Sequence, residues 1–172
     1  MTLSRKARIF WPLAMVVLLT DCTTKELAVE HQSLPHVPHE VLGSTVQLTL
    51  TYNPGLALGI DFGAWSRPLI ILFVVGALAL LLRLYHRVGR RDRALAAAFG
   101  LLCGGAAGNL IDRLRGARGV VDFIDIGAGP VRFWTFNVAD VGVTLGALLL
   151  ALVLWRRDRT RVPTEDPTTD HR

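Results

Sequence analysis

Four long apolar stretches divide the chain, and polar or basic residues mark where each one stops. The first covers residues 9–20 (IFWPLAMVVLLT) behind Arg5, Lys6 and Arg8. Its uninterrupted part is short enough for a signal peptide, and Leu19-Thr20-Asp21-Cys22 resembles a lipoprotein cleavage box. Asp21 breaks that box, where a small residue is expected. The helical pattern continues through Lys25 to Val29, so the segment reads as a retained span over about 8–28. The second span covers about 68–84, almost purely aliphatic, and ends in RLYHRVGRRDR. The third, about 94–111, carries Gly100, Gly104 and Gly108 at every fourth position, the small-residue spacing that lets membrane helices approach closely. The fourth, about 137–155, ends in WRRDRTR, and the Pro/Thr/Asp-rich tail over 162–172 is expected to be disordered. Each stretch is near the roughly 20 residues that cross a bilayer.

Between spans the pattern changes period. Residues 43–52 (GSTVQLTLTY) alternate Val46, Leu48 and Leu50 with polar positions, a half-buried strand pattern. Asn53-Pro54-Gly55 follows as a turn, with 56–62 as a returning strand and 131–134 as a further short one. These predict a small β platform on one membrane face. The whole is then a polytopic, otherwise all-α membrane protein: one membrane-embedded unit over 1–161 with outer segments at 29–67 and 112–136.

Charge settles the orientation. The net charge of +5 over 172 residues would also suit a nucleic-acid binder. The cations, however, cluster beside apolar runs with no nucleic-acid motif between them, which is the positive-inside pattern. The N-terminus, the loop after span two and the C-terminus are basic, so both termini are expected to be cytoplasmic. A hydrophobic fraction of 51% agrees with spans rather than a soluble core. The two cysteines, Cys22 and Cys103, suggest neither zinc nor a disulfide framework; Cys103 reads as a small packing residue. His31, His36 and His39 show no metal-ligand spacing.

Among the 14 acids, four converge on the outer membrane boundary. Asp21 closes span one, Asp112 closes span three, Asp122 follows in the outer loop, and Asp140 lies one turn into span four. Ionisable groups at membrane depth are costly and mark functional sites or buried pairs. Lys25, four residues after Asp21, can pair with it on one helical face. Asp112 beside Arg113 reads as an ion pair at the end of span three, Asp125 as a solvent or turn-capping acid, and Asn137 as sharing a helical face with Asp140. Two carboxylates held close together cannot both ionise easily, so one keeps a proton while the other activates water. Intramembrane acids also occur in transporters, and the glycine-bearing third span would suit a non-enzymatic scaffold. The acids gather at one face rather than running through the bilayer, which favours hydrolysis.

Five blocks give the chain a family likeness: Asp21-Cys22-Thr23-Thr24-Lys25, Asn53-Pro54-Gly55-Leu56-Ala57, Gly104 through Arg113 (GGAAGNLIDR), Val120-Val121-Asp122-Phe123 and Phe136-Asn137-Val138-Ala139-Asp140. In this order, each at a span boundary, they resemble the lipoprotein signal peptidase (signal peptidase II) family over nearly the whole length. The resemblance implies an aspartyl endopeptidase of the bacterial inner membrane, with four transmembrane helices and a periplasmic β platform. Such an enzyme removes signal peptides from diacylglyceryl-modified prolipoproteins, cutting before the lipid-bearing cysteine. It implies Asp122 and Asp140 as the catalytic pair and Asn53, Asn109, Arg113 and Asn137 as substrate-binding or dyad-orienting groups. Asp21, Lys25, Gly55, Gly108, Asp112 and Ala139 are implied as structural support. No metal or cofactor is implied; membrane lipids, prolipoproteins and globomycin-type cyclic peptide inhibitors are the expected partners of a monomer. The chain departs from the family pattern in an extra loop residue between Arg113 and Val120, in Cys22 for a frequent Gln, and in Leu58 for a frequent Phe. Arg115 and Arg118 are expected to meet lipid headgroups.

Overall fold

Hydrophobic length produces four helices in the computed structural model, which describes residues 4–31, 34–55 and 63–160. They are α1 (Ala7–His31), α2 (Ser66–Arg87), α3 (Arg93–Arg115) and α4 (Val138–Arg159), each long and apolar enough to cross a membrane. At 1.5 Å per residue even the shortest spans about 33 Å, the thickness of a bilayer core. Each helix runs a few residues past the end expected from hydropathy. The ends are fixed by polar chemistry instead. Asp92 caps α3 by accepting from the Leu95 N–H at 3.2 Å. Lys6 closes the far end of α2, donating to the carbonyl oxygens of Tyr85, His86 and Val88 at 3.0, 3.1 and 2.8 Å.

α3 lies at the centre, packed against α1, α4 and α2. Its glycines make that possible on two faces. A Cβ on Gly104 would stand 2.6 Å from the Ala14 carbonyl oxygen of α1, and one on Gly100 2.8 Å from that of Phe10. On the other face Gly105 meets the Ala139 backbone, and α4 returns the close approach through Gly142 and Gly146. Phe10, Tyr85, Val88, Leu95, Phe99 and Cys103 form a buried cluster at the end of the bundle opposite the sheet. Leu72, Phe73 and Leu148 are more than 60% exposed, the outward apolar surface that spanning helices present to lipid.

The platform is a four-stranded antiparallel sheet in sequence order: β1 (Pro38–Leu42), β2 (Val46–Asn53), β3 (Val120–Ala128) and β4 (Val131–Arg132). β2 begins and ends within a few residues of its predicted limits, and β4 is shorter than predicted. β1 and β3 are corrections. The segment containing Asp122 is not an outer loop but the long inner strand of the sheet, with Thr51 opposite Asp122 and Asn53 opposite Val120. β3 escapes the alternation rule because its acids are turned inward and paired. Asp125 is also a correction: it is buried, not solvated, and bonds Arg132 Nε at 2.7 Å and Thr49 Oγ1 at 3.1 Å. Gly119 sits at φ +97°, and a side chain there would strike the Asn53 backbone. The strand expected over 56–62, with Leu58, and the tail over 162–172 lie outside the described residues.

The close packing predicts a contrast between two glycine substitutions. Gly104→Val should destabilise the protein by about 1–3 kcal/mol through overpacking. Gly76→Val, where a Cβ meets nothing within 4 Å, should leave the melting temperature in detergent unchanged. Equal shifts in scanning fluorimetry would remove the close-approach account of α3.

Candidate active site

The site grows from a buried cation. Lys25, 3% exposed, lies on α1 one turn after Asp21, which is fully buried. Its ammonium pairs with Asp21 at 2.7 Å and with Asp112 of α3 at 2.9 Å, and donates to Asn109 Oδ1 at 2.8 Å. Each partner reaches a further element. Asp21 Oδ1 accepts from the Ala139 N–H in the first turn of α4 at 2.8 Å, and Asp112 Oδ2 accepts from the Val121 N–H of β3 at 3.1 Å. Gly108 lies directly against the Asp21 carboxylate, with no room for a side chain. The expected Asp21–Lys25 pair is present. The expected Asp112–Arg113 pair is replaced, because Lys25 is the ion partner of Asp112. Consecutive helical residues point in directions about 100° apart, so Asp112 and Arg113 serve different neighbours.

Asn109 carries the arrangement toward Asp140. With Oδ1 taken by Lys25, its Nδ2 donates to Asp140 Oδ1 at 2.8 Å. Asn137 then joins the two acids implied as catalytic. It is not on the helical face with Asp140, as its spacing suggested. It is the extended N-cap residue of α4 (φ −132°, ψ −178°), in a reciprocal capping box with Asp140. Its Oδ1 accepts from the Asp140 N–H at 3.0 Å, and its own N–H donates to Asp140 Oδ2 at 3.2 Å. Its Nδ2 donates to Asp122 Oδ1 at 2.6 Å and lies 3.2 Å from the Val121 carbonyl oxygen. Two further hydrogen bonds, Phe123 N and Ile124 N to Phe136 O, lock β3 beside the start of α4. Asp122 and Asp140 therefore meet at one fully buried residue.

The two acids differ in environment. Asp122 is 4% exposed, while Asp140 is half-buried. Burial, and next the charge of Asp140, push the Asp122 carboxyl up from 3.8 to about 6; hydrogen bonds from Asn137 and Asn53 and the Lys25 cation oppose the rise. Asn53 also holds its own turn, accepting from the Gly55 N–H at 3.2 Å. Arg113 donates from Nη1 to the Asn109 carbonyl oxygen at 3.0 Å, and its buried Nε has no hydrogen-bond partner among the described residues. Sequence reasoning missed Arg67, whose Nε donates to the Arg113 carbonyl oxygen at 2.9 Å and fixes that end of α3 against α2. It also missed the Asp125–Arg132 lock of the platform; opposite charges flanking Gly127–Gly129 were its only signal. Among the described residues no group of three or more potential ligands could hold a metal ion.

The model of the family described as signal peptidase (SPase) II matches residues 13–156. This chain belongs to that family. Its relatives are named lipoprotein signal peptidases. One from Nitratidesulfovibrio vulgaris is 38% identical over 90% of this chain and 94% of its own length. Another, from Pseudomonas putida, is 35% identical over 94% and 96%. A solved bacterial membrane enzyme superposes with a TM-score of 0.77 at 27% identity, covering 90% of this chain and 92% of its own. A second gives 0.72 at 29%, covering 83% and 89%. The protein is thus a multi-pass membrane protease of the signal peptidase II family, and Asp21, Lys25, Asn53, Asn109, Asp112, Asp122, Asn137 and Asp140, drawn from the five sequence blocks, converge at one end of its bundle.

The raised Asp122 carboxyl has a thermodynamic signature. Its folded value lies above its unfolded one, so its contribution to stability is full below pH 3.8 and is lost as the pH rises through about 6. Asp122→Asn should therefore melt higher than the parent protein above about pH 6 and level with it below about pH 4. Thermal melts across that range check it; a pH-independent difference would remove the burial account.

Proposed function

We propose that this signal peptidase II family member is an aspartyl endopeptidase. It removes signal peptides from diacylglyceryl-modified prolipoproteins by cutting before the lipid-bearing cysteine, with Asp122 and Asp140 as the catalytic dyad. The observation that carries the reading is Asn137, which hydrogen-bonds both carboxylates from the N-cap of α4. Membership of a family of lipoprotein signal peptidases supports the substrate class.

The chemistry follows from the unequal settings of the two acids. Asp122, pushed toward its neutral form, carries the shared proton and donates to the carbonyl oxygen of the scissile bond. Asp140, reached by two N–H donors, takes a proton from water as the water oxygen attacks the carbonyl carbon. Collapse of the tetrahedral intermediate breaks the C–N bond, and the dyad returns a proton to the leaving amine. The pair titrates as a unit. Arg113, anchored through Nη1 to the Asn109 carbonyl oxygen beside the dyad, presents its guanidinium to substrate carbonyl groups, and Asn53 steadies Asp122. The basic span ends place both termini in the cytoplasm by the positive-inside rule. The dyad then lies at the periplasmic face of the inner membrane. The enzyme acts as a monomer, and globomycin-type cyclic peptides block the groove.

Asp122→Asn and Asp140→Asn should each lower cleavage by roughly 10²–10⁴-fold or more, read as loss of the gel shift of a diacylglyceryl-modified prolipoprotein by the purified enzyme. Asp112→Asn should retain measurable activity. A fully active Asp122→Asn or Asp140→Asn variant would falsify the dyad. Because the proposed chemistry needs only two carboxylates and water, chelators should leave the rate unchanged.

A further inference from the structure

At the end of the bundle opposite the dyad, a cleft of about 820 Å³ opens among the N-terminal segment, the end of α2 and the loop into α3. Arg5, Lys6, His86, Gly89, Arg90 and Arg91 line it, and among the described residues no acid does. Three helix ends converge here. The starts of α1 and α3 bring the positive ends of their dipoles. The end of α2 brings carbonyl oxygens that repel anions, but the three N–H groups of Lys6 cover those of Tyr85, His86 and Val88. Asp92, beside Arg91, is also occupied: it caps α3 and pairs with Arg157. Arg5, Arg90 and Arg91 are exposed, and none makes a salt bridge among the described residues.

We propose that this cleft is a binding site for the phosphate headgroup of an anionic phospholipid. The cleft lies at the ends of membrane-spanning helices, the depth at which lipid phosphates sit. Basic pockets between helix ends suit anionic headgroups. Topology alone accounts for cations on this side of the membrane. It does not account for three arginines, without a salt bridge among the described residues, around one cleft where Lys6 covers the Tyr85, His86 and Val88 carbonyls and the nearest acid is already paired. Trp11, half-exposed one turn into α1, and Leu84 near the end of α2 offer apolar surface on the same elements for the acyl chains. The proposal is independent of the peptidase reading, since no residue of the cleft belongs to the dyad end.

Native mass spectrometry of the full chain in detergent tests it, with phosphatidylglycerol or phosphatidylcholine as the added lipid. One phosphatidylglycerol should be retained in preference to phosphatidylcholine. The Arg90→Gln/Arg91→Gln protein should retain it roughly tenfold less well. Arg156→Gln/Arg159→Gln removes the same charge from the same end of the bundle, at α4, and should bind like the parent. The single variant Arg5→Gln should weaken retention in the same direction, giving a reading if the double variant does not fold. Equal loss in both double variants, or no preference between the lipids, overturns the proposal in favour of diffuse surface charge. Equal thermal stabilisation by inorganic phosphate and by phosphatidylglycerol overturns the lipid assignment in favour of a simple oxyanion site.

Discussion

The end of the bundle that carries the sheet depends on one buried ammonium group. Taking a charge out of water costs several kcal/mol even after relaxation, and only good geometry with further hydrogen bonds offsets it. Lys25 meets that condition with two carboxylates and an amide oxygen within 2.9 Å. The compensation has a structural by-product. Asp21 and Asp112 each have a second oxygen or lone pair to spend, and they spend it on backbone N–H groups of α4 and β3. One cation on α1 thereby ties together α3, the sheet and the fourth helix. Leaving Asp21 without it would strand a charge at a fully buried position.

The same economy operates one layer out. Asn109 has a single amide, and the cation on its oxygen obliges its nitrogen to face Asp140. Asn137 is both the cap that starts α4 and the bridge to Asp122. Helix initiation and acid placement are therefore one event. The glycines of α3 are the other half of this design, because the polar groups can meet only if the backbones of α1, α3 and α4 approach closely. The opposite end of the bundle solves the inverse problem, covering helix-end carbonyls with Lys6 and leaving Arg5, Arg90 and Arg91 without a salt bridge among the described residues.

Hydropathy made the four helices legible, since a stretch of some 20 apolar residues has few alternatives. The strand around Leu48 was legible from its alternation. β3 was not: Asp122 and Asp125 interrupt its apolar pattern, and they are tolerable inside only because Asn137, 15 residues on, and Arg132, seven on, partner them. The candidate site was legible as a set of residues that come together, but not as a set of contacts. Adjacent Asp112 and Arg113 suggested a pair, whereas the partner of Asp112 lies 87 positions earlier, on α1. Asn137 and Asp140 suggested one helical face, whereas one is the cap and the other the capped.

By itself the sequence determined the number of spans, the clustering of acids at one membrane level and the family likeness, because apolar length, charge clusters and ordered blocks are local properties of the chain. Which acid pairs with Lys25, how Asn109 is turned, and that Asp122 and Asp140 meet at Asn137 were decided only by the tertiary structure. The reason is physical. A buried charge selects its partners by distance and desolvation, and those are set when separate helices and a strand pack together, not by neighbours along the chain.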